Sequence, residues 1–298
     1  FILRWQTFCS YWNVPLEGDS AGYWDFARAL TLSNPFANAH REPGLIWTLR
    51  LAKTLFGDSE RSSRFLTLLL SCSLIPMTWL LGRRARLGTA ACIIAAGLAA
   101  FNPFSVFMSA QGSQLELFTL LILIFSALWL NHRAGATGTA GAALMLTRIQ
   151  SAASVFPLGL IAAWSARRGV RRAMPYFVLP ALALAVMLGT AKMNTGSFTG
   201  NLDHAARYYT AAELNGDPEI STGTESMTLG KYLFSGPALP RLALKTLRGY
   251  FHILFNPFNH YNRIFLNSHY ARTWNFLLLP FLWAGLWLFL ADNKRRSF

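Results

Sequence analysis

The chain has 298 residues, of which 53% are hydrophobic and 13% charged, with a mean hydropathy of +0.31. A soluble domain carries about 25% charged residues, and the apolar residues here are gathered into blocks too long for a solvated surface to hide, so a water-facing globule is excluded. The net charge of +14 does not mark a nucleic-acid binder, because its arginines cluster between apolar blocks, as membrane-topology signals do.

In chain order, Phe1-Ile2-Leu3-Arg4-Trp5 reads as the outer end of a first membrane helix rather than as a signal peptide. The chain is therefore expected to be cut at its beginning, and at its end as well. Residues 1–62 form a first extracytoplasmic loop with two amphipathic pieces. One runs through Tyr23, Trp24, Phe26, Ala27, Ala29 and Leu30, the other through Leu45, Ile46, Trp47, Leu49, Leu51, Ala52, Leu55 and Phe56. Helices of this kind are expected in the membrane interface, with Asn34, Pro35, Pro43 and Gly44 marking the irregular connection.

A transmembrane bundle then occupies 63–192. Spans of about 20 apolar residues are predicted at 63–82, 89–108, 115–130 and 174–191, with a further one at 274–291. The stretch 138–166 is long for one crossing and contains Arg148 and Gln150 near its middle, so it reads as two short helices meeting there. Residues 193–272 form a second extracytoplasmic segment, rich in turn formers such as Asn215-Gly216-Asp217-Pro218. Residues 273–298 hold the last span and a cytoplasmic tail. Cys9, Cys72 and Cys92 have neither CxxC nor metal-ligand spacing.

The basic clusters Arg83-Arg84-Ala85-Arg86, Arg167 to Arg172 and Lys294-Arg295-Arg296, with Arg133, are assigned to the cytoplasm by the positive-inside rule. Of 13 acidic residues, eleven fall in the two outer segments; Glu116 sits at the outer mouth of its helix and Asp292 lies in the tail. The fold expected is thus all-α, a polytopic helical bundle in the cytoplasmic (inner) membrane with its working face turned outward.

Asp19, in Gly18-Asp19-Ser20-Ala21-Gly22-Tyr23-Trp24, is the first candidate for chemistry. A carboxylate partly desolvated at a membrane boundary can take a proton from an acceptor hydroxyl; from the local residues alone, the favoured reading is that Asp19 or Ser20 caps the helix that follows. Glu116, just inside an apolar helix, is either a functional intramembrane acid or a carboxylate favoured by the helix dipole. Arg148 offers a two-point fork for phosphate, against a bland role of snorkelling to headgroups. Arg41, Arg248 and Arg263 are weaker candidates of the same type, for which headgroup binding is the favoured role. His252, His260 and Tyr261 read as interfacial anchors, and His40 lies beside Arg41 and Glu42. Asp19, Glu42 and Glu116 leave a divalent cation open. No Walker loop, GxSxG elbow, zinc-ligand spacing or dinucleotide fingerprint is present.

Asp19, Tyr23, Ala27 and Leu30 follow one another as Asp-x-x-x-Tyr-x-x-x-Ala-x-x-Leu; Pro43-Gly44 opens the next helix; Leu55-Phe56-Gly57-Asp58-Ser59 and Arg64 precede a span; Ala143-Leu144-Met145-Leu146-Thr147-Arg148 lies in the paired helices. This order, over roughly residues 15–165, resembles the polytopic GT-C glycosyltransferases, particularly the bacterial protein-mannosyltransferase and aminoarabinose-transferase-like branch (family 39-like). The resemblance implies a sugar donor carried on a polyprenyl phosphate, inversion at the anomeric centre, and an acid of the first outer loop acting at the acceptor, which maps to Asp19. Ser20 departs from the family's common Asp-Glu pair, leaving Glu42 or Glu116 as alternatives. Arg148, Glu116, Glu42, Arg41 and Tyr23 are expected at the substrate. The acceptor, whether lipid, protein or glycan, is not encoded legibly. Beyond membrane lipids and these substrates no partner is implied, nucleic acid included. Rival readings are a lipid-linked glycan transporter or flippase, disfavoured by spans nearly free of midplane charge, and a noncatalytic membrane scaffold.

Overall fold

A computed structural model describes residues 1–31, 35, 41–165 and 173–198, with scattered positions from 203 to 247. The span expected at 274–291, the 167–172 and 294–296 clusters, most of the second outer segment, and His40, Arg248, His252, His260, Tyr261 and Arg263 lie outside the described residues. Two compact units divide the chain, Phe1–Asn201 and Leu202–Phe298. In the second, the Thr210 hydroxyl donates to the Ala206 carbonyl at 2.7 Å and Arg207 Nε to the Met227 carbonyl at 3.2 Å.

The first unit is helical throughout its described elements: α1 Ile2–Ser10, α2 Gly18–Ala29, α3 Pro43–Phe56, α4 Glu60–Arg84, α5 Thr89–Phe101, α6 Pro103–Met108, α7 Gln114–Leu130, α8 Ala134–Thr147, α9 Ala152–Ser165 and α10 Val178–Thr195. At 1.5 Å per residue α4 is about 37 Å long, enough for the roughly 30 Å hydrocarbon layer. Its ends suit its dipole: Ser59 Oγ accepts from the Arg61 N–H, Glu60 stands in the first turn, and Arg83 and Arg84 in the last. Among the described residues, Met174–Met193, a 3-10 turn running into α10, is the other stretch both long and apolar enough to cross by itself; α5, α7 and Ile149–Trp164 are shorter apolar helices.

The predicted 89–108 span is broken. Pro103 has no N–H for the Ala99 carbonyl, and the Phe104 and Ser105 N–H groups bond to Asn102 Oδ1 at 3.0 and 3.1 Å instead of continuing α5. Arg4, buried, takes up the released acceptors, donating to the Ala99 carbonyl at 2.9 Å and to that of Ala100. Arg64 does the same for the carbonyls of Val14, Pro15 and Ala110. In a chain leaving water, such groups must be satisfied from within.

The 138–166 stretch also breaks, at Arg148, where extended backbone (φ −151°) separates α8 from a 3-10 turn and α9. α4 packs on α5 and α7, α7 on α8, and α8 on α10. The 3-10 turn Met174–Tyr176 that leads into α10 also lies on α8, and this approach requires Gly138, because a Cβ there would collide with the Pro175 carbonyl. Along α5 only Cys92 is buried, while Ile93, Ile94, Leu98 and Phe101 are exposed. An apolar stripe of that kind belongs against lipid.

α2 and α3 close one end of the bundle. Tyr23, Trp24 and Ala27 of α2 meet Leu45, Ile46 and Leu49 of α3 in a core that includes Leu16 and Leu117. The apolar face of these amphipathic helices is turned onto the bundle and not onto the membrane interface, and the lipid-compatible face of α3 is a separate strip through Leu51 and Leu55. Leu16 N–H donates to Glu60 Oε2 at 2.7 Å, and Asp58 takes Arg28 at 2.9 Å and Lys53 at 2.8 Å. The basic turns after α4 and α7 share the opposite end, where Arg84 donates to Asn131.

Candidate active site

Four helix ends meet on the α2–α3 side: the start of α2, the lead into α3, the start of α7 and the end of α8. Asp19 lies in the first turn of α2. The position before that helix is Glu17, and the residue makes no side-chain cap bond, so the capping role weighed for Asp19 is not adopted. Nor is its carboxylate desolvated, with the side chain 78% exposed. What holds it is Arg41, whose Nη2 donates to Asp19 Oδ1 at 2.7 Å. The same guanidinium lies 4.7 Å from the Tyr23 ring centroid, a cation–π stack, and the Tyr23 hydroxyl donates to Gln114 Oε1 at 2.9 Å.

Arg148 reaches this place from the other side. Its guanidinium sits 5.2 Å from the Phe118 ring centroid. Gln114 and Phe118 are four residues apart on α7, hence on one face and about 6 Å apart along the axis. The α3 entry and the α8 exit are pressed together as well: a Cβ on Gly44 would stand 2.7 Å from Thr147 Oγ1 and 2.9 Å from the Leu146 carbonyl oxygen. Glycine is what lets residues 41–44 approach the strand-like exit that carries Arg148.

The electrostatics follow from this packing. Burial pushes the Tyr23 phenol up to about 12, helped by the negative charge of Glu42 and opposed by Arg41. For Arg41, burial works against the charge, but the bond and attraction to Asp19 outweigh it and raise its pKa. Glu42 stands immediately before α3 and contributes through its charge, without a side-chain cap bond.

Glu116 goes elsewhere. It points into the bundle, 3% exposed, where Ser105 Oγ donates to its Oε1 at 3.4 Å, in the polar cluster that Arg4 forms with Ser71 and Ser105. The convergence of Asp19, Glu42 and Glu116 on one cation, left open by the sequence, is not found: among the described residues no three of His, Cys, Asp and Glu come together.

The family model for dolichyl-phosphate-mannose-protein mannosyltransferase matches residues 40–190, just over half of the chain. The chain belongs to this family. Membership makes it a membrane glycosyltransferase with the helical GT-C fold. No curated protein and no solved structure matches it. The matched stretch takes in Arg41, Glu42, Glu116 and Arg148; Asp19 and Tyr23 precede it and are tied to it by the Arg41 and Gln114 bonds.

For this glycosyltransferase the arrangement puts an exposed carboxylate, an arginine that bonds it, and a second arginine stacked on an aromatic ring around one turn of α7. Two contributors, Gln114 and Phe118, were missed from sequence. Their signal was weak: a polar side chain opening an apolar helix, with an aromatic one turn later, reads as ordinary helix-start composition.

Proposed function

We propose that the chain is an inverting glycosyltransferase that moves a sugar from a polyprenyl-phosphate-type donor to an acceptor hydroxyl on the extracytoplasmic side of the inner membrane. The observation carrying this reading is that Asp19 and Arg148 are fastened to the same face of α7, through Tyr23–Gln114 and Phe118 respectively. In the reaction the acceptor oxygen attacks the anomeric carbon and the carbon–oxygen bond to the lipid phosphate breaks. The bonding pair leaves on the phosphate oxygen, and the hydroxyl proton passes to the Asp19 carboxylate. Arg148 binds the phosphate through its fork and stabilises the charge that grows on it. One displacement with one base inverts the centre.

Sidedness follows from charge. The turns bearing Arg83, Arg84, Arg86 and Arg133 lie at the end of the bundle away from Asp19, and the positive-inside rule assigns such turns to the cytosol. The acceptor, whether lipid, protein or glycan, approaches from outside.

The test is transfer of a labelled sugar from its polyprenyl-phosphate carrier by the full chain reconstituted in liposomes. Asp19→Asn is expected to cut transfer about 100- to 10,000-fold, to a small residual rate, while expression and unfolding temperature stay at wild-type values. Arg148→Gln is expected to raise the donor KM about tenfold or more. Normal turnover by the Asp19 variant would overturn the assignment of the base. Movement of the labelled lipid across the bilayer without covalent transfer would instead favour a flippase.

A further inference from the structure

Two arginines reach the site, and the structure treats them differently. Arg148 has no carboxylate partner among the described residues; its guanidinium lies over Phe118 and its fork is open. Arg41 is committed: bonded to Asp19 Oδ1, stacked on Tyr23, and its side chain is 33% exposed against 78% for Asp19. Tyr23 is itself 2% exposed and tied to Gln114. The well-held member of the ion pair is therefore the arginine. The loosely held member is the carboxylate, which has one oxygen engaged and Oδ2 without a partner among the described residues.

We propose that Arg41 is a positioning residue: braced by Tyr23 and Gln114, it grips Asp19 through Oδ1 so that Oδ2 faces the acceptor hydroxyl, leaving the donor phosphate to Arg148. This rests on the reading of Asp19 as the base. A carboxylate on an exposed first turn samples several rotamers, and a base must lie within hydrogen-bond reach of the proton it takes. A rigid, planar donor fixes one of them, which a lysine on a flexible stem does less well. The brace runs from α7 through α2 to the α3 entry, so the base is referred to the same helix that carries the Arg148 contact. If Arg41 bound phosphate instead, the donor would have to displace Asp19 from it.

Steady-state kinetics on the reconstituted full chain separate these roles. Arg41→Gln is expected to lower kcat about 10- to 100-fold, the scale of a misplaced catalytic group, with the donor KM within about twofold of wild type. Arg41→Lys should recover part of that loss. The double variant Asp19→Asn/Arg41→Gln should be no slower than Asp19→Asn alone, because a group acting only through Asp19 has nothing left to act on. Binding of polyprenyl phosphate without sugar, measured directly, should be unchanged by Arg41→Gln and weakened by Arg148→Gln. A raised donor KM or weakened polyprenyl-phosphate binding in Arg41→Gln would overturn the proposal, as would a further loss in the double variant. Should Arg41→Gln fail to fold, Tyr23→Phe, which keeps the ring but cuts the brace at Gln114, must reproduce a kcat loss at constant donor KM, and unchanged kinetics there would count against it. Full turnover by Asp19→Asn would instead remove the underlying reading, so the two failures are distinguishable.

Discussion

Arg4 and Arg64 are among the most deeply buried side chains described, and neither faces the candidate site. Each serves backbone carbonyls that the local chain leaves without donors. A buried carbonyl that loses its only donor costs about 1–3 kcal/mol, so Arg4→Met is expected to destabilise the protein by at least about 2 kcal/mol, read by chemical unfolding in detergent. Tyr23 offers a second check. Its phenol is raised from 10.0 to about 12, meaning the folded state holds that proton more tightly than the unfolded one. The associated stability is present below pH 10 and is lost as pH climbs towards 12. The difference in tyrosinate absorbance between wild type and Tyr23→Phe should therefore titrate near pH 12. Asp58 behaves oppositely. Lys53, then Arg28, hold its carboxyl below the usual range, so its contribution is present above the unfolded carboxylate pKa and is lost as pH falls through its lower folded value. Asp58→Asn should flatten the acid limb of stability against pH.

At the scale of elements, hydropathy located α4, α7 and α10 within a few residues but read through the gap between α5 and α6. The reason is physical. A windowed hydropathy sums side-chain transfer, whereas the break at Asn102 is decided by one missing N–H at Pro103 and one side-chain cap. The Asn-Pro pair was visible, yet only the caps made by Asn102 and Arg4 show that the chain uses it. Asn102→Ala is expected to cost about 1 kcal/mol, measured as a shift in unfolding midpoint. The break at Arg148 was easier to read, because a cation interrupts an otherwise apolar run. Gly44 is the element-scale test of the site. Gly44→Val would wedge the α3 entry away from Leu146 and Thr147, separating Arg41 from Arg148. Sugar transfer should fall about tenfold or more at unchanged membrane insertion.

For the whole molecule, the outward apolar stripe of α5 and the separation of basic turns from the α2–α3 end describe a bundle built to lie in lipid with two unlike faces. In a background without cysteines, Asp25→Cys should react with an impermeant thiol reagent in right-side-out vesicles, and Leu87→Cys only in inverted ones. The opposite pattern would move the site to the cytosol.

Composition, apolar block length and clustered arginines determined by themselves that this is an all-helical membrane protein, because partitioning into a bilayer depends on sums over a segment and not on which segments touch. Asp19, Tyr23, Arg41 and Arg148 could be nominated from local pattern for the same reason. Their partners could not. Tyr23 and Gln114 stand 91 positions apart, Arg4 and Ala99 95, and Asp19 and Arg41 22. Pairings across such distances are settled by how α2, α3, α7 and α8 pack, which also sent Glu116 inward and left Asp19 in the open.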